Sequence, residues 1–145
     1  REEGERIGAA LRALLDDIDS LRDRAAREAA DQPAAQRARM LDAVRALLGE
    51  IPVLPEERIA QEVALLAARS DVREELDRLS SHVAAARALL AEAGPIGRRL
   101  DFLVQEFNRE ANTLCSKSST AALTATGLRL KAAIEQLREQ AQNIE

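Results

Sequence analysis

Apolar residues recur every three or four positions along almost the whole chain, and this one feature leaves little room for any architecture but packed helices. Toward the end, Leu123, Gly127, Leu130, Ile134, Leu137, Ala141 and Ile144 alternate spacings of four and three, a narrow helical seam in which Gly127 admits the close approach of a neighbour. Near the start, Ile7, Ala10, Leu11, Leu14, Ile18 and Leu21 repeat the pattern. Strands have no comparable support, because β-branched residues are scattered and no Asn-Gly or Asp-Gly turn joins alternating runs. The core is aliphatic: 46% of residues are hydrophobic, yet there are only two Phe and no Trp or Tyr. Leu, Ile, Val and Ala suit closely packed helices. With 145 residues the chain is long enough for one domain with a real core. The expected fold is all-α, with about five helices in antiparallel hairpins forming one helical domain.

Helix breakers set the boundaries. A first helix is predicted over about 3–29, and Asp31-Gln32-Pro33 interrupts it, with Pro33 suited to the first turn of a second helix reaching Leu48. The stretch GEIPVLPEE, residues 49–57, holds a Gly and two Pro and is the clearest internal boundary. It divides the chain into an N-terminal helical hairpin, 1–54, and a helical region, 55–145, together one domain. Pro55 followed by two Glu opens a helical pattern to about Ala93, with a break expected near Ser70-Asp71. Gly94-Pro95 ends that pattern, and further helices follow over about 96–115 and 120–143.

Charge and motifs exclude several functions. A net charge of −4 does not announce a nucleic-acid binder, so a polyanion would have to be met by a local cluster. The single cysteine, Cys115, excludes an internal disulfide and a cysteine-based zinc site, and points to a reduced, cytoplasmic protein. No apolar run approaches a membrane span and no signal peptide opens the chain, so no membrane role is expected. The chain opens at Arg1 directly in helix-forming sequence, as a piece of a longer protein would. GxxxxGK[ST], HExxH and GxSxG are all missing. Cys115 with His82 is formally a nucleophile and base, but Cys115 sits among small residues at a helix end, where a structural role is favoured. With only Phe102 and Phe107, a stacking platform for single strands is not expected.

Two constellations remain. In DVREELDRLSSHVAAARALL, the residues Val72, Leu76, Leu79, Val83, Ala86 and Leu90 form the buried stripe, and Asp71, Glu75, Arg78 and His82 run along its flank. In LDFLVQEFNREANTLCSKSST, poor helix formers crowd a pattern that stays helical, which suggests a task beyond making helix. Glu106 and Glu110 there lie one turn apart and repel by roughly 0.2–0.5 kcal/mol unless a cation sits between them. That cation is either an arginine or a divalent metal. Counted from the Gly94-Pro95 turn, His82 lies twelve residues before Gly94 and Glu106 twelve after, so an α-hairpin sets them at one height. Asp71 and Glu75 would then fall near the level of Asn112 to Lys117.

The runs GRRLDFLVQEFNREANTLCSKS, LKAAIEQLREQAQNIE and RIAQEVALLAARSDVREELDRLSSH resemble the C-terminal half of the YicC/YloC family. The first two helices match the family's more variable middle region by position. The resemblance implies a stress-associated bacterial endoribonuclease that depends on a metal and assembles as a ring-like homo-oligomer, usually a hexamer. It also implies a β-rich N-terminal domain preceding this region. Cys115 departs from the small residue common at that position, which argues further against thiol chemistry. On this reading Glu106, Glu110 and His82 form the catalytic centre and, with Glu75 or Asp71, hold Mn²⁺ or Mg²⁺. Arg98, Arg99, Arg109, Asn112 and Lys117 hold the RNA backbone. The rival reading is a helical oligomerisation or RNA-binding adaptor module whose carboxylates only pair with arginines.

Overall fold

The seams read from the sequence are the inner faces of a four-helix bundle in a computed structural model that describes residues 2–48 and 55–144. Six helices follow one another: α1 (Glu2–Ala30), α2 (Gln32–Leu48), α3 (Glu56–Arg69), α4 (Arg73–Leu90), α5 (Gly97–Lys117) and α6 (Ala121–Ala141). No strand occurs among the described residues, and no helix there is long and apolar enough to cross a membrane.

Helices α1, α4, α5 and α6 close a ring in which α1 packs on α6 and α4, and α5 packs on the same two helices from the opposite side. Every neighbouring pair is antiparallel. The Arg87 guanidinium near the end of α4 meets Asp16 at the middle of α1 at 2.6 Å, with the start of α4 lying beside the end of α1, while Thr126 at the start of α6 donates to Glu28 at the end of α1 at 2.5 Å. Leu11, Leu15, Ile18, Leu79, Leu100, Phe107, Leu114, Leu123, Leu130, Ile134 and Leu137 are sealed inside. Each contributes about 1.5–3 kcal/mol by leaving water, which supplies the helicity that the polar residues of α5 do not. At Gly127 an added Cβ would stand 2.7 Å from the Cys115 sulfur and 3.1 Å from a Leu114 methyl. The glycine is therefore what lets α6 lie so close to α5, and Cys115 is used in that contact.

Helices α2 and α3 pair with each other and leave the bundle as an arm. Their faces hold little apolar burial: Ile59 is the one buried hydrophobic on α3, and Leu47 and Leu65 are exposed. The long seam of α1 is satisfied by α4 and α6, while α2 turns to α3. The 49–54 boundary itself lies outside the described residues.

A buried polar joint fixes the arm. Gln32 donates to the Ser70 carbonyl at 2.9 Å and its oxygen accepts from the Ser119 backbone N–H at 2.6 Å, while Gln36 donates to the Ser70 hydroxyl at 2.7 Å. These bonds explain the break expected near Ser70-Asp71. The Ser70 carbonyl, which a continuing helix would use, is satisfied by Gln32, and the Asp71 carboxylate accepts from the Arg73 N–H at 3.0 Å to start α4.

Candidate metal centre

α4 and α5 are joined by the Gly94-Pro95 turn, with Gly94 at φ +94°, a conformation that favours glycine. The antiparallel hairpin sets His82 of α4 opposite Glu106 and Glu110 of α5, as the count from the turn requires. One ligand atom from each of the three lies within 4.8 Å of the others, the only such group of His, Cys or acidic side chains found among the described residues. The arrangement sits at the rim of the core. Glu110 is 3% exposed, His82 19% and Glu106 25%, so the cluster opens outward past Glu106. Phe107 backs the imidazole edge-on, with ring centroids 5.8 Å apart, and fixes its plane.

The polar bookkeeping inside the cluster is incomplete. A carboxylate as buried as Glu110 needs close partners. Its nearest cation, Arg78, reaches Oε1 only at 3.4 Å, and that guanidinium is half exposed and shared with Glu74 at 2.9 Å. The Glu110 carboxylate holds Arg78 more firmly protonated than an ordinary arginine. His82 Nε2 stands 3.9 Å from Glu110 Oε2, too far for a hydrogen bond, and has no partner among the described residues although it is shut off from solvent. Glu106 meets Arg109 at 3.8 Å, a loose surface contact. Two carboxylate oxygens and an orphaned imidazole nitrogen therefore face one small space. This is the donor set that a divalent ion such as Mn²⁺ accepts, and no thiolate competes for it.

The other predicted ligands lie elsewhere. Glu75 is buried on α4 two turns before His82 and receives Lys117 on both oxygens at 3.0 and 3.2 Å. Asp71 is engaged by the backbone and side chain of Arg73, whose hydrogen bonds lower its carboxyl from 3.8 to about 2. Neither reaches the cluster; both fall at the level of Lys117, as the hairpin count predicts.

The predicted RNA contacts also separate. Arg98, Arg109 and Asn112 share the outer face of α5, Arg99 is tied to Glu92, and Lys117 is consumed by Glu75. Of the poor helix formers that crowd this region, Thr113 bonds back to the Arg109 carbonyl, Ser118 accepts or donates to Thr124, and Ser119 anchors Gln32. Ser118 and Ser119 thus serve the turn into α6 and the joint of the arm, while the Thr113 bond stays within α5. Cys115 faces Gly127 on α6, away from His82, and burial raises its thiol pKa, which removes the nucleophile reading.

The sequence missed Arg78 as the partner of Glu110. Its place beside His82 on the α4 flank was visible, but the rotation that aims it across the hairpin was not.

Comparison with known proteins covers most of this architecture. The family described as Endoribonuclease YicC-like, C-terminal, matches residues 25–145, from the last turn of α1 through the arm to the end. The probable endoribonuclease YicC of Haemophilus influenzae is 44% identical over 144 residues, 99% of this chain and 49% of the relative. That of Clostridioides difficile is 43% identical over 99 residues, 68% of this chain and 34% of the relative. The chain thus spans about half the length of the first and a third of the second. From α4, α5 and their shared rim to the arm, the chain belongs to the YicC-like endoribonuclease family and corresponds to its C-terminal part.

Proposed function

We propose that this chain is the helical part of a metal-dependent endoribonuclease, in which His82, Glu106 and Glu110 hold one Mn²⁺ or Mg²⁺ ion against the RNA backbone. The observation that carries the reading is the orphaned, buried His82 Nε2 facing two carboxylates. The mixed imidazole and carboxylate set favours Mn²⁺ over Mg²⁺, which prefers oxygen donors alone. When bound, the ion supplies charge neutralisation for the phosphodiester and acidifies a water. The chain's own residues do the rest. Phe107 and the hairpin fix the imidazole plane, Arg78 orients Glu110 from the far side, and Glu106 faces the opening. Arg109, beside Glu106 and largely exposed, is placed to turn to a phosphate oxygen, as is Arg98 at the start of the same helix.

The relatives' names as probable endoribonucleases support RNA as the substrate. A ring-like homo-oligomer in the cytoplasm, a hexamer by resemblance, fits the arm, whose Leu47 and Leu65 lie open where a second copy would cover them. The second reading, an adaptor without catalysis, draws on the same contacts: Arg78–Glu110 and Arg109–Glu106 are ion pairs as well as metal-site neighbours. Cleavage of an RNA oligonucleotide with added Mn²⁺ by the full-length protein separates the two. Glu106→Gln and His82→Ala each lower the rate at least a hundredfold while RNA affinity and melting temperature stay close to wild type; wild-type cleavage in both variants refutes the site.

A further inference from the structure

Aromatic side chains are nearly missing from this chain, and the two it has are treated in opposite ways. Phe107 is sealed in the core behind His82, whereas Phe102 is 61% exposed on the outer face of α5. A lone exposed apolar side chain is common on protein surfaces and carries no message by itself. Phe102 differs in its company. One turn before it stands Arg98, which forms no ion pair with the described residues, and Gln105 and Arg109 continue the same face three and seven positions later. Beside the ring, a groove of about 400 Å³ runs between α4 and α5, floored by Ala85, Leu89 and Leu103 and bordered by Arg98 and by the Arg99–Glu92 ion pair. Glu106 follows Phe102 by one helical turn, about 6 Å along the axis, so the ring lies next to the opening of the metal cluster.

From this juxtaposition we infer that Phe102 is the stacking face for one unpaired base of the RNA substrate, with Arg98 holding the adjoining phosphate. The inference rests on the endoribonuclease reading for its ligand. A flat ring with a free cation at its edge matches the two halves of a nucleotide, a π-face and a charged phosphate. A second protein copy is a poorer occupant. The ring is rimmed by Arg98, Asp101, Gln105 and Arg109, all exposed, and the ring with the narrow groove beside it is too small an apolar patch for a stable protein interface. Stacking tolerates every base, so the subsite orders the strand beside the cut and does not read its sequence. It is a single stack and not a platform.

The test uses single-stranded RNA oligonucleotides carrying one abasic residue, moved position by position, with affinity measured by fluorescence anisotropy in the presence of a chelator. Each oligonucleotide is shown by gel to be intact after the reading, so the result stands whether or not the metal reading holds. In the wild-type protein one abasic position weakens binding by roughly 5- to 140-fold, the range of one lost stack. Phe102→Ala loses the same factor on intact RNA and shows no further loss at that position, whereas Phe102→Trp binds as the wild type does. Mapping the Mn²⁺-dependent cut then places it within two nucleotides of the sensitive position. Equal abasic penalties in wild type and Phe102→Ala overturn the stack, as does a change in molecular mass by light scattering on Phe102→Ala, which assigns the ring to a protein interface. A missing cut with the binding pattern intact counts against the metal centre and leaves the stack standing.

Discussion

Glu75 and Glu110 invite comparison because burial treats them alike and their partners do not. Each is 3% exposed, each lies on the facing sides of α4 and α5, and each looks across the hairpin for a cation. Glu75 finds Lys117 at hydrogen-bond distance on both oxygens, and the lysine also donates to the Asp71 carbonyl at 3.2 Å. That pair is complete. Glu110 has a guanidinium at 3.4 Å that is also engaged in solvent, and an imidazole nitrogen that reaches nothing. Two buried carboxylates on one pair of helices thus divide into a finished structural ion pair and an unfinished one. On the proposed reading, this difference marks the place where a cation would fit.

The largest effect expected from this contrast is on the finished pair. Lys117→Met leaves Glu75 buried without a partner, a loss of about 3 kcal/mol, the low end for a broken buried pair because Lys117 is partly exposed. For a chain of this size that lowers the melting temperature by roughly 10 °C. Glu110→Gln removes a charge that was poorly compensated and costs no more than about 1 kcal/mol. Equal losses in the two variants would mean that Glu110 is as structural as Glu75, and the comparison fails.

Next in size is the response to metal. At a hundredfold excess over its dissociation constant, an ion that binds only the folded state adds about 2.7 kcal/mol. Mn²⁺ therefore raises the wild-type melting temperature by several degrees, leaves the shift intact in Lys117→Met, and gives no shift in Glu110→Gln or His82→Ala. A shift that survives in Glu110→Gln puts the ion elsewhere.

The smallest effect separates Asp71 from the centre. Its carboxyl is lowered from 3.8 to about 2 by the hydrogen bonds from Arg73, so its contribution is present above the ordinary value and is lost as the pH falls toward 2. Because the pair is solvent-exposed, Asp71→Asn costs only a few tenths of a kcal/mol at neutral pH, and the two melting curves converge in acid. Mn²⁺ binding is unchanged. Weaker Mn²⁺ binding in Asp71→Asn would restore Asp71 to the ligand set.

The bundle was legible in the sequence because helical spacing alone decides which face is buried. Every apolar position of the α6 seam from Leu123 to Ala141 is inside. On α1 the stripe sits slightly rotated: Leu15 and Ala25 are sealed, while Ile7, Leu14 and Leu21 are half-buried, because α1 serves two neighbours and needs a broader stripe. The meeting of His82 with Glu106 and Glu110 followed from symmetry about the Gly94-Pro95 turn. Which arginine or lysine takes which glutamate did not, since that depends on a helix rotation that spacing leaves free. The arm's joint was hidden for another reason. Gln36 and Ser70 are 34 residues apart, and Gln32 and Ser119 are 87 apart, and no local pattern announces such partners.

The most direct measurement is a calorimetric titration of Mn²⁺ into the wild-type chain, Glu110→Gln and Glu75→Gln, supported by the electron paramagnetic resonance signal of the free ion. One site per chain is expected in the wild type and in Glu75→Gln, and its loss in Glu110→Gln. No site in the wild type, or an undiminished one in Glu110→Gln, would contradict this.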